Sequence, residues 1–455
     1  MFLEAKLTWE KEDGMHEHQS TQRNGLQKMS QWLLADSRLL IAGSVLALIW
    51  AHVDYFGGTH TLEHFTHFEV AQLFAEPAAH AADAGHAEHG MTIHLLIGMA
   101  MAFFFGIAGK EVKESTLVGG DLNPPSKAAV PLFATAGGIL GPIGIYLLLA
   151  VVTGKIALYA NGWAIPTATD IAFSYYFGNK IFGKGSAPVK FLLLLAIADD
   201  AVGLVIIALG FTDFAQIHLM WMLLPVAAVA LTIVTAKLMQ GHRNHSHWLY
   251  FSYMAISLYG FYRTGVEPAL AFVPVVWFMP HAKTDLGLFA HGESERHDTL
   301  NQFEHFWKPW VEGILFFFAL VNVGVPLAGI GVGTLLVSAA LIVGKPLGVL
   351  VCTWLAVKVF GLRLPDGMNY RMVTCIGMIA GIGFTVALFV AVKAFGSPEY
   401  AMQLPEAKLG ALFSFLAAPL ALVYARAVGI RPVVSTVTTT TAEAEEAEHL
   451  ETQLA

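Results

Sequence analysis

The run from Phe191 to Gly210, FLLLLAIADDAVGLVIIALG, limits what this chain can fold into more than any other stretch. About 20 apolar residues are enough to cross a hydrocarbon layer as one helix. This run carries two adjacent carboxylates, Asp199 and Asp200, near its middle. Each acid at that depth costs roughly 2.5–3.5 kcal/mol on insertion scales. No lysine or arginine lies within eight positions of the pair. Neighbours on a helix sit about 100° apart, so the two acids can face different surroundings, one a partner on another helix and one a water-filled cavity. Apolar residues continue for two turns on either side, which argues against a helix end that merely tolerates charge. The pattern points to a site for a cation, a proton or both.

The rest of the chain suits the same setting. Of 455 residues, 56% are hydrophobic and 13% charged, against roughly 25% charged in soluble domains, and the mean hydropathy is +0.60. The fold class is therefore an all-α polytopic membrane protein, with the lipid bilayer as its surroundings and no nucleic-acid partner. The net charge of −8 says little, because the acids are concentrated in a few places. The two cysteines, Cys352 and Cys375, lie in apolar segments and imply no disulfide framework. No cleavable signal is apparent, and the first apolar run, Leu39 to Val53, serves as the insertion signal itself.

Twelve apolar stretches follow in order: 33–53, 91–109, 128–152, 163–178, 189–210, 216–238, 247–262, 268–280, 309–328, 331–357, 371–395 and 406–428. An even number puts both termini on one side. That side holds 21 of the 26 lysines and arginines, the opposite loops hold Lys155, Arg263, Lys393 and Lys408, and Lys345 lies inside a span. This bias predicts cytoplasmic termini.

The outward loop 54–90 carries Asp54, Glu63, Glu69, Glu76, Asp83 and Glu88 with no lysine or arginine. His52, His60, His64, His67, His80, His86, His89 and His94 crowd the same region. The His60/His64/His67 spacing suits zinc or copper on one helix face. No fixed ligand motif is formed, so a solvated acidic loop that concentrates cations at an outer mouth is the simpler reading.

Two spans are interrupted. The fourth reads Trp163-Ala-Ile-Pro166-Thr-Ala-Thr169-Asp170, and a proline with polar neighbours in a short apolar segment argues for a broken helix. Asp170 suits an N-cap of the second half-helix, a role compatible with a site. The eleventh has Gly377, Gly381 and Gly383 before Phe384-Thr385. These are the middle members of triplets 3–4–5 and 10–11–12, which run in opposite senses, as in inverted repeats whose discontinuous helices meet at a site. Glycines 137, 138, 141 and 144 with Pro142 suit close packing and a bend in the third span. In the tenth, Lys345 sits mid-membrane with no acid in its own span, so it needs a carboxylate from elsewhere, Asp199 or Asp200. Charges after Gly109 read as interfacial. Glu312, a turn into the ninth span, and Glu267, which opens the eighth, read as peripheral. The tail after Pro432 is threonine-rich, then acidic, and reads as disordered or marginally helical.

The segments Gly162–Phe173, Ala196–Leu209, Gly344–Gly348 and Gly381–Thr385 together resemble the NhaA-type sodium/proton antiporters, in the right order from about residue 93 to 428. The resemblance implies twelve transmembrane spans with two inverted repeats whose unwound fourth and eleventh helices cross at the ion site. It implies exchange of Na⁺ or Li⁺ for H⁺ across the bacterial inner membrane, electrogenic and activated by alkaline pH, with no cofactor and no enzymatic reaction. By motif, Asp200 binds the cation, with Na⁺ at Asp200 and Asp199, and Asp199 pairs with Lys345. Asp170 balances the half-helix ends and Thr169 lines the site. Residues 1–32 are then a cytoplasmic segment, 33–428 the antiporter domain and 429–455 an acidic cytoplasmic tail.

Several positions depart from the family pattern. Gly109-Lys110-Glu111-Val112-Lys113-Glu114-Ser115 stands for Gly-Leu-Glu-Val-Lys-Arg-Glu, Gly265-Val266-Glu267 for Gly-Val-His, and Lys308-Pro309-Trp310 for His-Pro-Trp, while Glu304 and His305 fit. Glu312 has no familiar counterpart. These positions bear on pH response, for which Glu111, Glu304, Glu267 and Glu312 are the candidates. The family's first outer loop is a short hairpin used in dimer contacts, and the long insert here bears on the expected homodimer. Three other readings compete. A sodium-coupled solute carrier would need more polar residues than the chain offers, and a transport-dead pH sensor keeps the same fold. An intramembrane aspartyl protease would need its acids on two spans, one following Gly-x-Gly, and Phe384 stands there instead.

Overall fold

A computed structural model describes residues 38–69, 92–117, 125–212, 217–238, 247–281 and 299–432. The segment 1–32, His80, His86, His89 and the tail from 433 lie outside the described residues. Within them the chain is helical, with no strand beyond one isolated bridge between Glu69 and Thr92.

Among the described residues eight helices are long and apolar enough to cross a bilayer, or nine with a bent pair taken as one span. They begin with α1 (Arg38–Gly57), followed after the short α2 (Thr61–Thr66) by α3 (Ile93–Thr116) and α4 (Pro125–Val152). The fourth apolar stretch is split into a 3-10 helix, Ala160–Thr167, and α5 (Ile171–Phe182). The helix of the paired acids, α6 (Ala187–Gly210), precedes α7 (Leu223–Leu238), α8 (His247–Thr264) and the short α9 (Val273–Phe278). Then come α10 (Thr299–Val323), α11 (Val332–Ala339) and α12 (Lys345–Lys358), the last two joined through a π turn at Ala340–Gly344. The eleventh stretch is α13 (Tyr370–Ala380) and α14 (Phe384–Phe395), bent by 52° at the glycines between them. Finally, α15 (Gln403–Phe413) continues through one 3-10 turn into α16 (Ala417–Ala427).

Packing divides these helices into two bodies. One holds α1, α3, α7, α8, α9 and α10, and the other holds α4, the 3-10 helix, α5, α6 and α11 to α16. They meet along a seam where α3 lies on α6, and α10 lies on α14 and α15. In the second body α4 and α12 interlock through glycine. A Cβ on Gly137 would come 2.0 Å from the Gly348 carbonyl oxygen, and one on Gly141 would come 2.4 Å from that of Gly344. Small residues let the two backbones touch, and dispersion then holds them. At one end of this body Glu406 accepts hydrogen bonds from the Gly333 amide (2.5 Å) at the start of α11 and from the Tyr159 hydroxyl (2.7 Å).

Three expectations need correction. The polar residues after Gly109 do not sit at an exposed interface: α3 continues through them, and Lys110, Lys113 and Glu114 are buried. Lys110 Nζ lies 2.5 Å from Glu114 and 2.6 Å from Glu304, and Lys113 donates to the Met279 carbonyl. Glu312 is not in a first turn, because α10 begins ten residues before the apolar stretch and runs through Pro309. Charges that find partners across helices extend a helix beyond what hydropathy outlines. Asp54 is not a solvated loop acid: it is buried, accepting from Thr59 Oγ, Thr61 Oγ and the Leu62 amide at 2.6, 2.6 and 2.7 Å. It thereby folds residues 58–62 back so that Leu62 packs on Gly324. Nearby, His52 Nε2 accepts from the Leu327 amide, and His67 Nδ1 lies 3.1 Å from the Glu63 carbonyl. Among the described residues no three His, Cys, Asp or Glu side chains gather in a metal-sized group.

The glycine interlock separates two otherwise identical substitutions. Gly137→Ala in α4 is expected to destabilise the protein by at least ~1–3 kcal/mol, the usual scale of overpacking. Gly144→Ala in the same helix, where a Cβ meets nothing within 4 Å, is expected to be neutral or stabilising. Thermal unfolding in detergent compares the two.

Candidate functional site

The two interrupted spans cross at their breaks. The Asp170 amide donates to the Ile382 carbonyl at 2.7 Å, joining the gap before α5 to the gap before α14. Each break leaves a half-helix ending in bare carbonyls and another beginning with bare amides. The side chains distribute themselves accordingly. The Asp170 carboxylate accepts from the Phe173 amide at the start of α5 and from the Thr385 amide at the start of α14, both at 3.4 Å, and the Thr385 hydroxyl also donates to it. One acid thus caps two helix N-termini, where the macrodipole favours negative charge. At the opposite polarity, Lys345 Nζ donates to the Thr167 carbonyl at 2.6 Å, where the 3-10 helix ends. Thr169 Oγ lies 3.0 Å from the Ala380 carbonyl that ends α13 and 2.6 Å from Asp199 Oδ2. Ser174 Oγ and Ser414 Oγ add bonds to the Ile379 carbonyl and from the Gly383 amide.

Lys345 and Asp199 form an ion pair at 2.7 Å with both side chains at 0% exposure. The sequence shapes how the lysine arrives there. Pro346 has no amide hydrogen and its ring excludes a regular bond to the carbonyl four residues back, so the chain widens into the π turn Ala340–Gly344. Gly138 of α4 lies beside the pair: a Cβ there would make ordinary contact, 3.6 Å from Lys345 Cε and 3.8 Å from Asp199 Oδ1.

Asp200 points elsewhere. It lies on the seam between the two bodies, beside a cavity of about 10 Å³ lined by Phe105, Ala108, Asp200, Gly203, Leu204, Ile207 and Val386. Its Oδ1 is buried without a hydrogen-bond partner, as is Asp199 Oδ1. The charges of Glu111, Asp199, Asp170 and Lys345 all act on Asp200, and Glu111 lies a turn beyond Ala108 on α3. With all groups ionised, Asp170, Asp199, Asp200 and Lys345 leave an excess of negative charge that a small cation or a proton relieves.

The structure brings Asp170, Thr169, Asp199 and Lys345 into one hydrogen-bonded group, with Asp200 beside it on the seam. It leaves the other candidates apart. Glu304 is held by Lys110 and by Lys308 (2.9 Å), Glu312 lies two turns farther along α10, and Glu267 pairs with Lys393 at 2.6 Å. Thr385, Ser174 and Ser414 belong to the crossing and were not singled out. Thr385 closes the Gly-Ile-Gly-Phe-Thr run, and Ser174 falls one turn after Asp170, so a polar residue within a turn of a break is the signal that finds these two. Ser414, in the turn between α15 and α16, lies far from either break in sequence and carries no such signal. Phe105 and Ala108 carry no polar signal at all.

Lys345→Met, which strands Asp199 as a buried unpaired acid, is expected to cost about 3–5 kcal/mol of stability. Adding Asp199→Asn should recover most of that loss. Unfolding in detergent measures both, and a double variant no more stable than the single would count against the pair as the tether.

Residues 28–425 fit the family model described as Na+/H+ antiporter 1. The chain is 44% identical over 407 residues to the Na(+)/H(+) antiporter NhaA of Jannaschia sp. (strain CCS1), covering 85% of this chain and 94% of that one. It is 38% identical over 395 residues to the protein of the same name from Geotalea uraniireducens (strain Rf4), covering 86% and 95%. Among solved structures, the sodium proton antiporter MjNhaP1 from Methanocaldococcus jannaschii at pH 8 aligns with a TM-score of 0.49 and 13% identity, over 89% of this chain and 97% of that one. By the extent of the family match and the identity to these relatives, the chain belongs to the Na+/H+ antiporter 1 family.

Proposed function

We propose that this protein is a secondary transporter, not an enzyme, that exchanges Na⁺ or Li⁺ for H⁺ across the bacterial inner membrane. The observation that carries this reading is Asp200, a carboxylate on the seam between two packed bodies whose buried Oδ1 has no hydrogen-bond partner. Such an oxygen takes a proton or a cation, and a rigid shift of one body against the other exposes it to each side in turn. The names of the relatives, Na(+)/H(+) antiporter NhaA, support the identity of the two ions.

In this reading Asp200 is the principal ligand, with Asp199, Asp170 and Thr169 completing the site and Lys345 as counter-charge. The cation displaces protons from the acids, and coupling follows because the empty, fully charged site does not cross. Release of a proton held by the Asp199–Lys345 pair as well would make the exchange electrogenic. The cavity beside Asp200 is about 10 Å³, room for roughly one water-sized particle, which favours an ion over an organic solute.

The fold reading is likewise twelve spans with spans 3–4–5 and 10–11–12 as inverted repeats, cytoplasmic termini and a homodimer. The bond between the two breaks, Asp170 to Ile382, supports the repeat crossing. Glu111, whose charge acts on Asp200, is the first candidate for pH response, with Glu304, Glu312 and Glu267 behind it.

Everted vesicles carrying the protein should show proton movement on addition of NaCl or LiCl, and Asp200→Asn should abolish it. No response from folded, inserted wild-type protein to either salt would overturn the reading. Competition between ions also sets a pH dependence. Raising the pH removes the competing proton, so the half-saturating Na⁺ concentration should fall by up to about tenfold per pH unit for each proton displaced. A half-saturating concentration independent of pH would show that the two ions do not share the site.

A further inference from the structure

At one end of the seam a charged pair joins the two bodies. Glu267 stands at the start of the 3-10 turn Pro268–Leu270, which packs on α3 in the first body. Lys393 is in the last turn of α14, in the second body. Their charged groups are 2.6 Å apart, with Glu267 at 7% and Lys393 at 33% side-chain exposure. Glu267 is anchored on its own side through the Ala269 amide, which donates to its Oε1.

The pair is the last of three successive seals along α14. Val386 lines the cavity at Asp200. One turn on, Phe389 sets its ring edge-on against Phe105 of α3 at 5.1 Å and near Phe318 of α10. One further turn on is Lys393, whose ammonium lies 5.6 Å from the Phe389 ring and reaches Glu267. Lys393 acts on His94 of α3 together with two other basic groups, Lys408 of α15 and His67, and Glu267 supplies a counter-charge from across the seam. On the Glu111 side, the pairs Lys110–Glu304, Lys110–Glu114 and Lys308–Glu304 instead lie within the first body.

We propose that Glu267 and Lys393 form a latch that holds the seam shut on the side away from Glu111, and that Asp200 opens to that side only when this pair parts. The latch rests on the alternating exposure proposed above. It is a mechanical role, distinct from titration of Glu267.

Two measurements test it. In a chain with Cys352→Ser, Cys375→Ser and Val386→Cys, a membrane-impermeant maleimide added from the latch side reports access to the Asp200 cavity. Glu267→Gln, or independently Lys393→Met, should raise the labelling rate roughly fivefold, the scale of a partly exposed ion pair in a two-state equilibrium. Unchanged labelling in both variants overturns the latch. In the second measurement, Glu267→Cys and Lys393→Cys are joined by a reducible bis-thiosulfonate linker. Exchange should fall at least tenfold when linked and return on reduction, whereas linked protein that exchanges at the reduced rate overturns the proposal. Absence of Na⁺/H⁺ exchange in the unmodified protein would count against the proposed function instead, and the labelling arm still decides the latch.

Discussion

A lysine with no water around it must be given an acid, and most of the second body is arranged to do so for Lys345. The pair it makes with Asp199 has both side chains fully buried, so neither charge has an alternative partner in solvent. The geometry around it follows. Glycines on α4 and α12 bring two backbones to touching distance so that a short reach suffices. The 3-10 helix stops at Thr167 and offers its last carbonyl to the same ammonium. Thr169 bridges from the pair to the end of α13. A buried pair is weak as a source of net stability and strong as a determinant of arrangement, since breaking it strands a charge.

The adjacency of Asp199 and Asp200 divides labour along one helix. About 100° of rotation separates them: one acid is bonded within its own body, and the other faces the seam beside α3. Displacement of the bodies along that seam changes what Asp200 faces while leaving the Lys345–Asp199 bond intact. The two half-helix pairs belong to the same body as Asp199, because Asp170, Thr385 and Ile382 tie them to each other rather than to the first body.

Much of this was legible in the residues. Apolar runs located the long helices, and Pro166 and the glycines around 381 marked both breaks. The need of Lys345 for an acid followed from burial alone. What hydropathy missed was structure made by polar residues with distant partners. Lys110 and Glu114 extend α3 because Glu304, 194 positions after Lys110, closes the cluster. Asp54 is buried because two threonines and an amide lie just after it, a local pattern hidden by the acidic composition of its surroundings. The seam around Asp200 was out of reach for the opposite reason: Phe105, Ala108 and Val386 look like any other apolar residues, and only packing distinguishes them.

The π turn at Ala340–Gly344 has a consequence for register. It separates two helical halves that answer to different neighbours: Val337 of α11 lies against Gly410 of α15, and Gly344 and Gly348 lie against α4. A regular helix would couple the angular phase of these two contacts rigidly, and satisfying one would set the other. A wide turn acts as a vernier, adding a rotation between the halves. Each half can then seat on its own partner while Lys345, at the joint, takes the direction that neither half alone would give it.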